Sequence, residues 1–462
     1  MKLQKFMQTE EIDVKKIELI KSGRNFLGIL NDIKRRPEDA AYELNIPLEK
    51  IQSILNGEIR LTEEIIDIAV EVWPVNRRDF YIVEDDCPEG IKIMSAEDSE
   101  KSSRIMNRAG KPYYEYRDTA MSKVSPFRPE WIEELCNVTN NDPENEHVQW
   151  NNGHFMHQFT YFIGDVNFYY KDDNGVKQTA VMKTGDSMYI TPFVPHTFTT
   201  REGAKTNGLI LALTYGGKLT GDSQLELSSL SGLGAEFSLD FSTIESSIGS
   251  LLKFHRENSN LSLEEISKRT KIEIDELKAF ETGKKNPSFS ELKKIAESQT
   301  INLRDLLSND KIEEKVIIKS HDECKSWFYP EDTKCYELVE LASTTALPFS
   351  KSFEMNIINQ NNPELDLKTG SHQYAYNIGD TQISLNWKLG GNIHTKNLNP
   401  GDSLYIKPFI EHNFRGKGKI LILRIGGKVS GDAQRELSIV GKKNAERAIS
   451  ETTQWFDPRG KK

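Results

Sequence analysis

The sequence predicts an α+β protein with two β-barrels, each preceded by a small α-helical domain. Three observations lead to this architecture: a long internal duplication, strand-rich segments of alternating hydrophobicity in each copy, and helical spacing of apolar residues in front of each copy. With 462 residues, the chain is long enough for several hydrophobic cores.

The duplication is clearest in a motif that occurs twice. Residues 185–193 read GDSMYITPF and residues 401–409 read GDSLYIKPF. A histidine follows three residues later in each copy, at His196 and His412. The Gly-Asp pairs are turn signals, and strand-rich sequence surrounds them in both copies. Two homologous barrels are therefore expected.

A second repeated motif separates what the two copies share from what they do not. The His-Gln pair at 157–158 returns at 372–373, each followed by Tyr, Ile, Gly and Asp at the same offsets. His157 is therefore expected to serve the fold in both barrels. His154 is not kept, because Thr369 stands at the corresponding position. A histidine present in only one copy points to a function of that copy alone.

The helical units carry their own boundary signals. Pro37 suits a first helical position, and Ser262 followed by Glu265 forms a capping-box pattern. Gly57 and Gly283 suit helix stops, and the two units align on these glycines without a gap. The predicted layout is a helical domain at 1–80, a barrel with the metal site at 81–242, a helical domain at 243–310, a degenerate barrel at 311–445 and a tail at 446–462.

Three residues of the first barrel form the candidate metal site: His154, Gln158 and His196. Alternate residues of a strand share a face, so His154 and Gln158 are expected on one side and His157 on the other. Imidazoles suit iron, zinc or copper, and three protein ligands leave positions for substrate and oxygen. Two other interpretations stay open: buried core histidines, or a set of His154, His157 and His196, which the alternation disfavours.

The third ligand would be a neutral amide instead of a carboxylate, which leaves the site one charge more positive and favours an anionic substrate that binds the metal. Several residues are candidates for anion contacts, since arginine and lysine bind phosphate-like oxyanions through charge-assisted hydrogen bonds. These candidates are Lys34, Arg108, Tyr116 and Asn151. On the residues alone, Lys34 is better explained as part of a solvated helix face.

Composition places the chain in a broad class. Hydrophobic residues make up 37% and charged residues 28%, which is typical of a globular protein and not of a disordered one. The formal net charge of −10 argues mildly against nucleic acid as the main partner. The four cysteines show no Cys-x-x-Cys pair and are expected to be free thiols in a reducing cytoplasm. No signal peptide or membrane span is expected.

These motifs resemble known families. A histidine near the start of a hairpin, with another after Gly-Asp-x-x-Tyr-Ile-x-Pro, resembles the two motifs of the cupin superfamily, whose fold is a double-stranded β-helix. The helical units resemble the helix-turn-helix bundle of Cro-type repressors. Together, two such barrels with one metallated resemble the phosphonate-processing non-haem iron oxygenases over nearly the whole chain.

The ligand pattern narrows the resemblance within that family. Some members hold iron with two histidines and a glutamate that lies six residues before the second histidine, and Ile190 stands there in this chain. Another member uses a glutamine four residues after the first histidine, as His154, Gln158 and His196 do here. The resemblance therefore implies Fe(II) on these three residues. It also implies phosphonate contacts through Lys34, Arg108, Tyr116 and Asn151.

The reaction implied by this match is the cleavage of 2-hydroxyethylphosphonate by O2 into methylphosphonate and carbon dioxide. All four electrons come from the substrate, so no reductant cofactor is expected. An alternative within the family yields hydroxymethylphosphonate and formate. A homo-oligomer is expected, and the sequence leaves open whether Lys34 acts in its own or a neighbouring subunit.

The alternative from another class is a transcription regulator, since cupins joined to helix-turn-helix units also act as ligand sensors. The side chains at the recognition-helix position of the second unit argue against it, because carboxylates repel the DNA backbone. Those side chains are Glu273, Asp275, Glu276 and Glu281, with Lys278 as the lone opposing charge. DNA is therefore not expected as a partner.

Overall fold

The computed structural model contains helical units and antiparallel β domains that alternate along the chain, in the predicted order. It describes residues 14–125, 127–307, 314–345, 347 and 349–450. Most of the predicted tail at 446–462 lies outside these residues. Among the helices in the described ranges, none combines the length and apolar character needed to cross a bilayer.

From residue 14 onward, the first helical unit shows four α-helices: α1 (Val14–Asp32), α2 (Pro37–Glu43), α3 (Leu48–Leu55) and α4 (Glu63–Val72). Pro37 occupies the first position of α2, where its missing N–H costs no hydrogen bond. Helix α3 ends at Leu55, and Gly57 follows with a φ of +71°, which an L side chain rarely adopts. Both predicted boundary signals are confirmed.

The next segment begins with one strand and one short helix and continues with nine strands and a second helix. Its elements are β1 (Ile91–Met94), α5 (Ala96–Lys101), β2 (Arg104–Arg108), β3 (Lys111–Asp118), β4 (Arg128–Glu134), β5 (His157–Ile163), β6 (Val166–Lys171), β7 (Lys177–Met182), β8 (Ser187–Ile190), β9 (His196–Thr200), β10 (Gly208–Tyr215) and α6 (Asp222–Leu230). The predicted turns before β6 and β8 are present, with positive φ at Gly164 and Gly185.

The second helical unit repeats the first with α7 (Ile244–Asn258), α8 (Leu263–Thr270), α9 (Ile274–Glu281) and α10 (Phe289–Gln299). Ser262 caps α8 as predicted, because its Oγ accepts a hydrogen bond from the Glu265 N–H at 3.1 Å. The reciprocal half of the capping box is not formed. The Glu265 carboxylate instead accepts a hydrogen bond from Arg269, one turn further along the helix, at 2.8 Å.

The last segment contains ten strands and two helices. They are β11 (Val316–Lys319), β12 (Ser326–Tyr329), β13 (Tyr336–Glu340), β14 (Ser350–Ile357), β15 (His372–Asn377), β16 (Ile383–Leu389), β17 (Asn392–Leu398), β18 (Ser403–Ile406), β19 (His412–Arg415), β20 (Lys419–Ile425), α11 (Asp432–Val440) and α12 (Lys442–Ser450). Helix α12 runs across the predicted start of the tail at residue 446.

Each β domain consists of a seven-stranded and a three-stranded antiparallel sheet. The first domain has the orders β11-β8-β5-β10-β4-β3-β2 and β7-β6-β9, and the second has β1-β18-β15-β20-β14-β13-β12 and β17-β16-β19. One core in each domain draws side chains from both sheets; Phe162, Phe168 and Phe198 are examples in the first domain. The two sheets of each domain therefore face each other across one core.

The two β domains exchange an edge strand. Strand β1 pairs with β18 of the second domain, with Ile91 opposite Ile406. Strand β11 pairs with β8 of the first domain, with Val316 opposite Ile190. The predicted boundaries at 81 and 311 give each of these strands to the domain that follows it along the chain, whereas the hydrogen bonds join each strand to the other domain. Neither domain has a complete large sheet without the other half of the chain.

A shared core joins the two large sheets. It contains side chains from β5, β8 and β10 together with side chains from β15, β18 and β20. Buried hydrogen bonds cross it: the Tyr161 hydroxyl donates to Glu354 Oε2 at 2.6 Å, and the Tyr374 hydroxyl donates to Ser125 Oγ at 2.6 Å. The two β domains therefore form one continuous packed body.

In both helical units, a glycine lets the first helix approach the third. A Cβ added to Gly23 of α1 would collide with the carbonyl oxygen of Ile54, and one added to Gly249 of α7 would lie 2.5 Å from the carbonyl oxygen of Phe280. This close contact explains why a residue of poor helix propensity sits inside both helices.

We expect Gly249→Ala to destabilise the second helical unit. Overpacking typically costs about 1–3 kcal/mol, which exceeds the roughly 1 kcal/mol that alanine gains in helix propensity. Urea denaturation followed by circular dichroism measures the change. Gly232→Ala is the matched control, because a Cβ there meets nothing within 4 Å. Equal midpoints for the two variants would contradict the close-packing explanation.

Candidate metal centre

The two motifs of the first β domain are tied together where the candidate ligands lie. His154 is in the loop before β5, Gln158 is on β5, and His196 is the first residue of β9. The backbone N–H of Phe193 donates to the carbonyl of His154 at 2.8 Å. Gly153 has a φ of +76°, and a Cβ there would lie 2.6 Å from the Phe193 backbone. Only glycine allows this approach of the two motifs.

His154 and Gln158 do meet, although the predicted reason was wrong. His154 does not share a strand with Gln158, because β5 begins only at His157. A turn brings it back: its Nδ1 lies 2.9 Å from the carbonyl oxygen of Met156, and its Nε2 lies 3.0 Å from Gln158 Oε1. His157 points elsewhere and bonds the Tyr189 hydroxyl at 2.7 Å. The structure therefore does not bring His157 into the set.

The same histidine–tyrosine bond recurs in the second β domain. His372 Nδ1 lies 2.6 Å from the Tyr405 hydroxyl, and each histidine stacks on its tyrosine at 5.9 Å between ring centroids. A repeated contact of this kind is what we expect of a histidine that serves the fold in both copies.

His196 is held as a neutral imidazole with a lone pair available to a metal. It is 4% exposed, and burial lowers its pKa to about 4. Its Nδ1 donates to the carbonyl of Val194 at 2.8 Å, which leaves the lone pair on Nε2. Its ring stands nearly perpendicular to that of His154, with centroids 5.1 Å apart. Two imidazoles thus lie side by side with their Nδ1 atoms engaged by backbone carbonyls.

The contact between His154 and Gln158 provides a test of whether a metal fits. With the His154 proton on Nδ1, the Nε2 atom and the amide oxygen both present lone pairs at 3.0 Å. Two acceptors this close repel each other unless a proton or a cation lies beside both. Metal–nitrogen bonds of about 2.1 Å at right angles separate two ligand atoms by about 3.0 Å. The spacing therefore fits a transition metal.

Among the described residues, no alternative metal site competes with His154, Gln158 and His196. Within the described ranges, no three histidine, cysteine, aspartate or glutamate side chains converge as a metal cluster. A metal site built from His154 and His196 therefore depends on the amide of Gln158, which is 5% exposed.

A cavity of about 390 Å³ opens beside these residues. Three of the four predicted anion contacts line it: Arg108, Tyr116 and Asn151. The Asn151 Oδ1 accepts hydrogen bonds from the backbone N–H groups of Gly153 and His196, both at 2.9 Å. Its Nδ2 is thereby turned toward the ring of His196, at 3.3 Å from Nε2, as a donor next to the candidate metal position.

Arg108 supplies a held positive charge at this cavity. Its guanidinium carbon lies 5.1 and 4.7 Å from the ring centroids of Tyr113 and Tyr114, and its Nη1 donates to the carbonyl of Gln149 at 2.7 Å. Burial raises the pKa of the Tyr116 hydroxyl, so this group stays protonated at neutral pH and can donate to an anion.

Lys34 is not brought to the cavity by its own chain. It follows α1 in a left-handed conformation with a φ of +60°, and its side chain is exposed. Its Nζ donates to the carbonyls of Asn31 and Asp32 at 3.2 and 3.3 Å. The cavity lining does not include it. Its predicted role in substrate binding stays a prediction.

Charged residues of β4, which the sequence did not single out, also belong to this site. Arg128 and Glu130 line the cavity, and Glu134 follows on the same face of the strand, deeper inside. Neither carboxylate oxygen of Glu134 has a hydrogen-bond partner among the described residues, and burial raises the pKa of both glutamates. The alternating pattern of β4 could have indicated these residues, because their charged side chains lie on the same strand face as the buried Ile132.

In the second β domain, a different set of side chains occupies the counterpart of the candidate metal site. Gln373 Nε2 donates to His412 Nε2 at 3.1 Å, and Gln373 Oε1 accepts from Arg424 Nε at 2.8 Å. The strand register places Arg424 opposite Gln373, where the first domain has Thr214 opposite Gln158. The polar groups of the second domain therefore satisfy one another without a metal.

Comparisons with known proteins show what this chain is similar to. Residues 249–320 match a family model described as a helix-turn-helix domain. The chain is 64% identical to methylphosphonate synthase of Nitrosopumilus maritimus (strain SCM1) over 443 residues, which covers 96% of this chain and 97% of that protein.

Among solved structures, HEPD of Streptomyces albus with 2-hydroxyethylphosphonate and Fe(II) bound superimposes with a TM-score of 0.87. It is 33% identical and covers 95% of this chain and 99% of its own. Native PhpD with cadmium atoms shares the fold, with a TM-score of 0.71 at 18% identity over 93% of this chain and 99% of its own.

We expect His154→Ala to weaken binding of Fe(II) by at least about 100-fold, since even loss of an outer-shell partner costs 10–100-fold. Anaerobic titration of metal-free protein measures the dissociation constant. Thr369→Ala is the matched control at the corresponding position of the second domain and is expected to bind Fe(II) as the parent protein does. Unchanged affinity in His154→Ala would locate the metal elsewhere.

Proposed function

The chain belongs to the methylphosphonate synthase family, and we propose on that basis that it cleaves 2-hydroxyethylphosphonate with O2 into methylphosphonate and carbon dioxide. It is an Fe(II)-dependent dioxygenase that acts on a phosphonate. Water is the remaining product, so the substrate supplies all four electrons that O2 takes up. The family resemblance seen in the sequence is confirmed.

The observation that carries this proposal is the pair of facing lone pairs on His154 and Gln158, beside His196 and inside a cavity that contains Arg108. The pair occurs in the first β domain, and its counterpart in the second is replaced by a self-satisfied hydrogen-bond network. Residues that suit a metal and a residue that suits an anion thus line one cavity, as conversion of a phosphonate by an iron enzyme requires.

His154, Gln158 and His196 hold the Fe(II) in this proposal. When bound, Fe(II) supplies the chemistry that activates dioxygen. Three protein ligands leave coordination positions for the substrate and for dioxygen. Because all three donors are neutral, they leave the metal's double positive charge uncompensated. An anionic phosphonate supplies the missing negative charge when it binds.

The remaining polar residues of the cavity orient the substrate. Arg108 contributes a charge-assisted hydrogen bond to a phosphonate oxygen, and its two aromatic neighbours and the Gln149 carbonyl hold the guanidinium in place. Tyr116 and the Asn151 Nδ2 add neutral donors. Fixed donors of this kind hold the reacting carbon in one geometry and require little reorganisation during the reaction.

The finer architecture also belongs to this proposal. Each β domain is a cupin barrel, the first with the metal site and the second degenerate, and each follows a repressor-like helical unit. Homo-oligomer formation and a cytoplasmic location stay predictions. In an oligomer, Lys34 has a route to the cavity of a neighbouring subunit, which its place in its own chain does not offer.

Product analysis tests the proposed reaction. The protein is reconstituted with Fe(II) without oxygen, and 2-hydroxyethylphosphonate labelled with carbon-13 at the hydroxyl-bearing carbon is added together with air. We expect methylphosphonate in the phosphorus NMR spectrum and the label in carbon dioxide. Hydroxymethylphosphonate with labelled formate would assign the alternative dioxygenase reaction. No turnover by iron-loaded protein would contradict the proposed activity altogether.

We expect Arg108→Gln to raise the KM for the phosphonate by about 10–100-fold, because a hydrogen bond to a charged group contributes about 1.5–3 kcal/mol. Steady-state oxygen consumption measures it. Arg117→Gln is the matched control: its guanidinium also stacks on an aromatic ring, 4.1 Å from the Trp131 centroid, but lies outside the cavity. A similar KM in both variants would remove Arg108 from substrate binding.

A further inference from the structure

The amide of Gln158 has two chemically different ends, and only one suits a metal. The carbonyl oxygen offers lone pairs, whereas the NH2 group offers only protons. A rotation of the amide by 180° exchanges them with almost no change in shape, so packing alone does not choose between them. When the oxygen faces a metal, the NH2 group on the far side needs a hydrogen-bond acceptor.

Thr160 makes that hydrogen bond in the first β domain. Gln158 Nε2 donates to Thr160 Oγ1 at 2.9 Å, and both side chains are buried, with Thr160 0% exposed. Thr160 lies two residues further along β5 and therefore on the same face of the strand. With Nε2 occupied in this way, Oε1 is the end that lies 3.0 Å from His154 Nε2.

The second β domain gives the equivalent amide different partners. Ala375 stands at the position of Thr160 and has no hydroxyl group. Gln373 instead accepts from Arg424, which can only donate, through Oε1, and its Nε2 donates to His412, the counterpart of His196. The glutamine at the same position of the motif thus presents its NH2 group to the histidine that both copies share.

We propose that Thr160 is a positioning residue that supplies the acceptor which the Gln158 NH2 group needs when the amide oxygen faces the metal. The inference deepens the proposed function, because it rests on Gln158 as a ligand. If the hydroxyl is lost, Nε2 is left buried without an acceptor, and rotation of the amide aims protons at the metal. Thr160 acts through Gln158 and has no assigned contact with the substrate.

Two variants separate the hydroxyl group from the shape of the side chain. Thr160→Val keeps the branched shape and removes the acceptor, whereas Thr160→Ser keeps the hydroxyl and removes the methyl group. We expect Thr160→Val to weaken anaerobic Fe(II) binding by about 10–100-fold, as other outer-shell losses do, and Thr160→Ser to stay near the parent value. The nitric oxide adduct of the Fe(II) protein provides a second readout, since its EPR spectrum reports changes in the ligand set.

The outcomes distinguish this inference from the proposed function. Equal weakening in both variants assigns Thr160 to packing and overturns the proposal, as does unchanged binding and an unchanged EPR spectrum in Thr160→Val. If His154→Ala also binds Fe(II) normally, the ligand set itself fails. If only His154→Ala loses the metal, the ligand set stands without this role for Thr160.

Thermal unfolding of the metal-free variants controls for folding. Ala375→Thr is the reverse control in the second domain. We expect it to leave the Fe(II) stoichiometry unchanged, because Thr369 supplies no imidazole and Arg424 still occupies the amide oxygen. A second equivalent of bound Fe(II) in that variant would show that the threonine alone decides the site, which contradicts a role limited to positioning.

Discussion

Two acceptor atoms that face each other across 3.0 Å set the central constraint on this molecule. Both imidazole Nδ1 atoms are committed to backbone carbonyls, so the repulsion between His154 Nε2 and Gln158 Oε1 is relieved only by a positive charge beside them. The loop before β5, the glycine that lets the two motifs touch and the buried hydrogen bond behind Gln158 all serve to hold this arrangement. The fold thus holds two acceptor atoms in a repulsive contact that a cation relieves.

Because the candidate ligands are neutral, other groups in the cavity have to balance the charge of the metal. A divalent metal held by two imidazoles and an amide keeps its full charge, so an anionic substrate becomes part of the electrostatic balance. Arg108 adds positive charge, and burial raises the pKa values of Glu130 and Glu134 on β4, which favours their uncharged forms. Metal and cavity therefore select for the same kind of ligand.

The sequence by itself determined the duplication and pointed to the candidate ligands. The repeated Gly-Asp and His-Gln motifs fixed the duplication, and the replacement of His154 by Thr369 identified which copy differs. Glycine and proline positions marked the helix boundaries of both helical units. These features are readable because they depend on residue identity and local backbone conformation, and the offset between His154 and Gln158 sufficed to match a family whose ligands follow that pattern.

Only the tertiary structure decided how these parts are combined. The exchange of β1 and β11 between the domains, the loop that replaces the expected strand at His154, the charged face of β4 inside the cavity and the exclusion of Lys34 from it all depend on contacts between distant segments. The direction of the Gln158 amide is the clearest case: Gln158 and Gln373 are the same residue in the same motif. Their neighbours in space differ: the Gln158 NH2 group donates to Thr160 in the first domain, whereas the Gln373 oxygen accepts from Arg424 in the second.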